Sequence, residues 1–222
     1  VTSVNGDEET VAAILPLVKK YGAAVAGLTL DKKGIPKSAE ERMAIARRIL
    51  DAALSYGIRR EDVYIDCLTL TVSAEQAGAA QTLEALSRVR SELGLKTVLG
   101  VSNISFGLPA RPLINQNFLT MAMTKGLDLP ILNPNAEAMM AAVRSYHLLM
   151  NVDKDARAFI AAYGGAQVDA AITITPREGT APTVPAAGEG HTLEQIVMSG
   201  LKGEAGPAAR SLLESRDPME VV

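Results

Sequence analysis

Tryptophan is absent from this sequence, cysteine occurs once and histidine only twice. The lone Cys67 excludes an internal disulfide framework and suits a reducing cytoplasm. Neither His147 nor His191 stands at metal-ligand spacing from the other or from Cys67, so no metal is assigned. No apolar run reaches the roughly 18 residues that suggest a membrane span, and no charged segment followed by an apolar one marks a secretory signal. Lysine and arginine (22) do not outnumber aspartate and glutamate (25), and a net charge of −3 offers no basic stripe to nucleic acid. No glycine-rich phosphate loop occurs, and Ser102 lacks the His and Asp partners of a hydrolase triad. Aromatic residues make up only 4%, so a core must be built from Ala, Leu, Ile, Val and Met. Those are plentiful: 48% hydrophobic against 21% charged in 222 residues supports a sizeable buried core.

Strand-like and helix-like segments alternate. Val1–Val4 reads as a strand end, Asp7–Tyr21 as a helix with acidic residues in its first turn, and Ala23–Leu30 as a strand. A helix is predicted from Ser38 to Tyr56, with Ser38 and Glu41 spaced as a capping box and Gly57 as its stop. Strands follow at Val63–Ile65, Thr97–Val101 and Leu129–Leu132. Helices follow within Ala74–Leu93, over Pro112–Thr124 and across Ala136–Asn151. Five strands, each followed by a helix, predict a parallel α/β architecture. The sharper expectation is the last five β/α units of an eight-stranded (β/α)8 barrel, the TIM barrel, occupying residues 1–163. The Thr-, Pro-, Ala- and Gly-rich stretch within 164–190 reads as a linker, and two short helical patterns occupy 191–222. Val1 falls directly on a strand end and Val222 within an apolar run, so a piece of a longer chain is expected. An open half-barrel exposes strand edges, and a homodimer is one partner such a surface allows.

Three strands end on a carboxylate or a carboxamide: Val63-Tyr-Ile-Asp66, Val98-Leu-Gly-Val-Ser-Asn103 and Leu129-Pro-Ile-Leu-Asn133. In a barrel, the C-terminal ends of the strands are where ligands bind. Asp66 can accept two N–H donors from a planar ring edge, or it can cap the turn that follows. Asn103 offers a donor pair and an acceptor, suiting it to a ligand nitrogen whose protonation changes, or to its own loop. Asn133 has the same chemistry, although Asn133-Pro134-Asn135 is also an ordinary turn signal. Arg111 either meets an anionic or aromatic portion of a ligand or is solvated. Met139, Met140 and Met150 read as core.

The string Leu99-Gly-Val-Ser-Asn-Ile-Ser-Phe-Gly-Leu-Pro-Ala-Arg111, with Tyr64-Ile-Asp66 and Leu129-Pro-Ile-Leu-Asn133, resembles the pterin-binding domain of cobalamin-dependent methionine synthase. The same domain type occurs in methyltetrahydrofolate:corrinoid methyltransferases and, more distantly, in dihydropteroate synthases. Leu193-Glu-Gln-Ile-Val-Met and Arg210-Ser-Leu-Leu-Glu-Ser-Arg-Asp-Pro-Met are similar to the opening helices of the cap that precedes the cobalamin-binding domain. The resemblance implies a pterin-type TIM barrel that binds 5-methyltetrahydrofolate. It also implies transfer of the N5-methyl group to a Co(I) corrinoid carried on a neighbouring domain or protein, in methionine synthesis from homocysteine. Asp66 is then the residue that holds the pterin, and Asn103 the catalytic residue beside N5. Gly100, Ser102, Arg111, Asn133 and Ser3 fall at the remaining pterin-binding positions. Where the family has Asn before that serine, this sequence has Thr2. The alternatives are a methyltransferase serving a corrinoid/iron–sulfur protein and a non-catalytic folate-binding remnant; because further pterin ligands of the family come from upstream strands, the isolated fragment is expected to be inactive.

Overall fold

The computed structural model describes residues 2–164 and Arg210. The chain divides into two units, Val1–Lys154 and Asp155–Val222. In the first, five strands, β1 (Thr2–Val4), β2 (Val25–Leu28), β3 (Val63–Asp66), β4 (Lys96–Gly100) and β5 (Leu129–Ile131), form one parallel sheet in the order 1-2-3-4-5. Between and after them come α1 (Glu8–Tyr21), α2 (Ala39–Ser55), α3 (Gly78–Arg88), α4 (Arg111–Thr124) and α5 (Glu137–Leu149). Strictly sequential order matters, because right-handed crossovers that never reverse direction put every helix on the same face. A doubly wound sheet would reverse at a switch point and carry helices on both faces. This is the (β/α) barrel pattern, present as five units.

Side-chain alternation divides the sheet into two unlike faces. Val4, Val25, Val63, Ile65 and Leu99 face the helices and are at most 1% exposed, within the same core as Leu15, Ile49, Leu86 and Leu119. Gly27 belongs to this face and brings α2 close: a Cβ there would lie 2.8 Å from Ile49 Cγ2 and 3.1 Å from Ile65 Cδ1. Since Ile49 is stiff and fully buried, Gly27→Ala is expected to lower unfolding stability by about 1–3 kcal/mol, measurable by urea denaturation. The opposite face carries Ser3, Ala26, Leu28, Tyr64, Asp66, Val98, Gly100, Leu129 and Ile131. It corresponds to the inside of a barrel. It opens towards β5, where Leu129 is 47% and Ile131 61% exposed.

Local boundaries follow side-chain chemistry. The capping box forms as read, with Glu41 N–H donating to Ser38 Oγ and Ser38 N–H to the Glu41 carboxylate. Gly57, Gly94 and Gly126 take left-handed φ values of 72°, 61° and 98° where their helices stop. The helix expected within Ala74–Leu93 begins only at Gly78 and widens into a π turn over Val89–Leu93. Residues 71–77 are instead drawn into turns that tie the loop to its neighbour. β4 stops at Gly100, one residue early, because Val101–Ser105 coils into a 3-10 turn. In the second unit a helix that the sequence did not signal, α6 (Arg157–Tyr163), places the Phe159 and Tyr163 rings 4.9 Å apart. Apart from Gly164 and Arg210, the expected linker over 164–190 and helices over 191–222 lie outside the described residues.

Candidate functional site

Asp66 is the last residue of β3 and lies on the inner face, only 8% exposed. Leu68 N–H donates to its Oδ1 at 2.8 Å, so the carboxylate caps the turn that follows. Its second oxygen takes no hydrogen bond among the described residues. One oxygen thus holds the turn, as the capping reading expects, and the other is open to a further donor. The main chain is fixed as well, since Thr29 N–H and Thr29 Oγ1 both donate to the Asp66 carbonyl, at 3.0 and 3.1 Å.

Burial pushes the Asp66 carboxyl up from the ordinary 3.8 to about 6, with the Leu68 N–H pulling the other way. A carboxyl raised in the folded chain stabilises the fold fully only while protonated, below its unfolded value, and that contribution is lost as pH rises through about 6. The difference amounts to about 3 kcal/mol at neutral pH. Asp66→Asn keeps an acceptor for Leu68. It is expected to raise unfolding stability at pH 7 by up to about 3 kcal/mol, a gain that disappears by about pH 4. Urea unfolding at the two pH values checks this. The neighbouring Cys67 thiol is pushed up to about 12 by burial and then by the Asp66 charge, which leaves it neutral and inert.

The loop after β3 is laced to the loop after β4. Thr71 Oγ1 and Ser73 Oγ donate to the Phe106 carbonyl at 2.7 and 2.8 Å, and Val72 N–H donates to the Ile104 carbonyl at 3.0 Å. The turn bearing Asp66 is thereby tied to the 3-10 turn bearing Ser102 and Asn103. Asn103 is exposed, and its amide makes no hydrogen bond among the described residues. Gly100 keeps the space beside it clear: a Cβ there would sit 3.5 Å from Asn103 Nδ2. The Ser102 carbonyl accepts from Arg111, while the Ser102 hydroxyl has no partner among the described residues.

Arg111 opens α4 and mostly braces its own loop. Its Nε donates to Ser105 Oγ at 3.0 Å, its Nη2 to the Ser102 carbonyl at 3.2 Å, and its guanidinium lies 4.6 Å from the Phe106 ring centroid. Nη1 is the part left for a ligand. Asn133 stands two residues beyond β5, exposed, with Oδ1 accepting Asn135 N–H at 3.0 Å, so it is engaged as a turn residue. Ser3 is exposed on the inner face, one residue before the end of β1. Asp66 and Gly100 thus end β3 and β4, Ser102, Asn103 and Arg111 follow on the segment after β4, and Ser3 and Asn133 stand apart, on β1 and in the loop after β5.

Sequence reasoning missed Thr29 and Thr82, both fully buried, and the fully buried Arg42 of α2. Thr29 holds the Asp66 backbone, as described above. For Arg42 a signal existed: it falls on the helical stripe of Ala39, Met43, Ala46, Ile49 and Ala53, where only core residues are expected. A separate hollow of about 290 Å³ between the β1 and β2 loops is lined by Asp7, Glu9, Asp31, Lys32 and Arg48 among others. Its rim is paired as Lys32–Glu9 and Arg48–Asp31. Among the described residues no cluster of His, Cys, Asp and Glu can hold a metal ion, and no helix is long and apolar enough to cross a membrane.

Comparison with known proteins bears on this geometry. The family model described as pterin binding enzyme matches residues 1–133. A methylcorrinoid:tetrahydrofolate methyltransferase from Eubacterium limosum is 28% identical over 168 residues, 73% of this chain and 61% of that protein. Methionine synthases from Mycobacterium leprae and Mycobacterium tuberculosis are 33% and 34% identical over 137 residues, 58% of this chain but only 11% and 12% of those proteins. The chain thus spans about three fifths of the first relative and about a tenth of the other two. A crystal structure of dihydropteroate synthase from Clostridium difficile with pteroic acid matches with a TM-score of 0.51 at 21% identity, over 67% of this chain and 60% of that one. That likeness concerns the fold.

Proposed function

The chain belongs to the family of pterin-binding enzymes, and on that premise we propose that it binds 5-methyltetrahydrofolate at the Asp66 end of its sheet and serves transfer of the N5-methyl group to a corrinoid. The corrinoid is carried by a neighbouring domain or protein. The observation that carries this reading is the Asp66 carboxylate, held in place by the Leu68 N–H and the Thr29 bonds, with one oxygen left over on the inner face. A pterin presents adjacent ring and amino N–H groups along one edge, and a fixed carboxylate is the acceptor that suits them. Loss of a methyl cation from a neutral tertiary amine leaves developing negative charge on N5. A donor at N5 removes that obstacle. The unengaged Asn103 amide stands on the loop tied to Asp66. It can donate a hydrogen bond through Nδ2 to the N5 lone pair or, rotated, accept one through Oδ1 from an N5–H whose proton comes from solvent and stays on N5 when the methyl group leaves.

The corrinoid, when bound, supplies a Co(I) nucleophile for the methyl group. The exposed position of Asn103 suits its approach from solvent. Residues 1–163 are the barrel portion in this reading, 164–190 a linker, and 191–222 the opening of the corrinoid-domain cap. The final acceptor is homocysteine, in the cytoplasm. A second reading runs the same chemistry in reverse, from methylcorrinoid to tetrahydrofolate. It is favoured by the 168-residue match to a protein named for that direction, which covers far more of that relative than of either methionine synthase. The test is methyl transfer by the 222-residue chain, with 5-methyltetrahydrofolate and cob(I)alamin in one arm and methylcobalamin and tetrahydrofolate in the other. Loss of the Co(I) absorbance in the first arm supports the proposal. Turnover in the second arm alone supports the reverse reading, saturable folate binding without turnover in either arm supports the inactive fragment, and neither binding nor turnover counts against all three.

A further inference from the structure

We infer that Arg42 is a positioning residue for the pterin site, clamping the Cys67–Leu68 turn so that Asp66 presents its free oxygen to the ligand; this rests on the pterin reading of Asp66. Arg42 lies on the apolar stripe of α2, is 0% exposed and forms no ion pair among the described residues. A buried guanidinium without a carboxylate is a poor way to stabilise a fold, since desolvation outweighs what neutral acceptors return. Burial accordingly lowers its pKa. Its value must lie in what it holds.

The two Nη1 hydrogens are shared among the Cys67 carbonyl at 3.0 Å, the Leu68 carbonyl at 3.1 Å and Thr82 Oγ1 at 2.7 Å. Nε donates to the Pro36 carbonyl at 2.9 Å. One side chain therefore joins the loop before α2, the turn after Asp66 and the second turn of α3. Thr82 Oγ1 reinforces the clamp, lying 3.1 Å from the Leu68 carbonyl and 2.9 Å from that of Gly78. The turn needs this help. Leu68 has φ of +58°, a left-handed conformation that a leucine adopts only where its surroundings enforce it. In that conformation its N–H turns back onto Asp66 Oδ1 while both carbonyls point to Arg42. Without Arg42 the Cys67 carbonyl loses its donor, the Leu68 carbonyl keeps only Thr82 Oγ1, and Leu68 relaxes towards negative φ. Asp66 Oδ1 then loses its N–H, and the carboxylate is free to rotate away from the ligand. Lysine would not substitute, because a single ammonium cannot span Pro36 on one side and the 67–68 carbonyls on the other.

The test is a double-mutant cycle on the full chain, with 5-methyltetrahydrofolate affinity read by calorimetry and the Leu68 amide exchange rate read by NMR without ligand. Arg42→Met is expected to weaken binding by about tenfold or more, but to have little further effect in the Asp66→Ala background, since it acts through Asp66. Thr82→Val, which removes one arm only and is the milder change for the fold, is expected to weaken binding about threefold with the same non-additivity. Leu68 exchange is expected to accelerate about tenfold in Arg42→Met. Arg42→Lys should not rescue either readout. Effects of Arg42→Met and Thr82→Val that multiply with that of Asp66→Ala would overturn the inference and leave a structural role alone. So would unchanged Leu68 exchange. Asp66→Ala binding like the original chain would instead count against the pterin reading, with the Leu68 exchange rate still deciding whether the clamp exists.

Discussion

Asp66→Ala is expected to weaken 5-methyltetrahydrofolate binding by about 10²–10³-fold. The pterin edge loses two charge-assisted hydrogen bonds, each worth about 1.5–3 kcal/mol, partly offset because alanine no longer requires desolvation of a carboxylate. Asp66→Asn is nearly as severe. Its Oδ1 remains turned to the Leu68 N–H at the position that Asp66 Oδ1 occupies, so its NH₂ meets the pterin donors and two donors face each other. Stability and affinity thus move in opposite directions in this variant, the mark of a carboxylate kept for its ligand. The pH dependence has a definite sign. Binding uses the ionised form, and the free carboxyl titrates at about 6 rather than 3.8. Affinity should therefore be flat above neutrality and fall by about tenfold per unit below pH 6. Calorimetric titrations of both variants, and of the original chain from pH 5 to 8, check these outcomes. Affinity that is unchanged in Asp66→Ala, or independent of pH, removes Asp66 from the site.

Asn103→Ala is expected to lower the methyl-transfer rate by about 10²–10³-fold while changing affinity less than about tenfold. A donor aimed at charge that develops only in the transition state adds little to ground-state binding. Asn103 has the features this role asks for: no competing hydrogen bond among the described residues, solvent exposure, and a clear flank at Gly100. Asn103→Asp is informative, because a carboxylate can accept but not donate at N5; it is expected to transfer as slowly as alanine. Single-turnover transfer to cob(I)alamin at saturating folate separates rate from affinity. A loss of affinity with an unchanged rate would make Asn103 a ligand-binding residue only.

Much of this was legible beforehand because it rests on short-range chemistry. Ser38 and Glu41 announce the start of α2, and the glycines at 57, 94 and 126 announce stops that only a left-handed residue makes easily. The alternation of apolar strands and amphipathic helices gives five β/α units, and the polar groups at the ends of β3 and β4 pick out the end of the sheet where we propose the ligand binds. What long-range bonds decide was not legible. β2 stops at Leu28 because Thr29 turns to hold Asp66, and the loop after β3 stays open until Gly78 because Thr71, Val72 and Ser73 bond to the neighbouring loop. Arg111 read as a ligand contact or a solvated side chain, yet its Nε and Nη2 each donate within its own loop, to Ser105 and Ser102. Arg42 bonds mainly to main-chain carbonyls, which any residue supplies. Its partners therefore have no sequence signature, and only its misplacement on an apolar stripe gave it away.

Titrating the ¹⁵N-labelled chain with 5-methyltetrahydrofolate and following its amide resonances tests most directly where the ligand sits. Asp66, Cys67 and Leu68 are expected to shift together with Gly100, Ser102 and Asn103, along one saturable curve, while the hollow bounded by Asp7, Asp31 and Arg48 stays unmoved. Saturable shifts confined to that hollow, or no saturable shift at all, would contradict it.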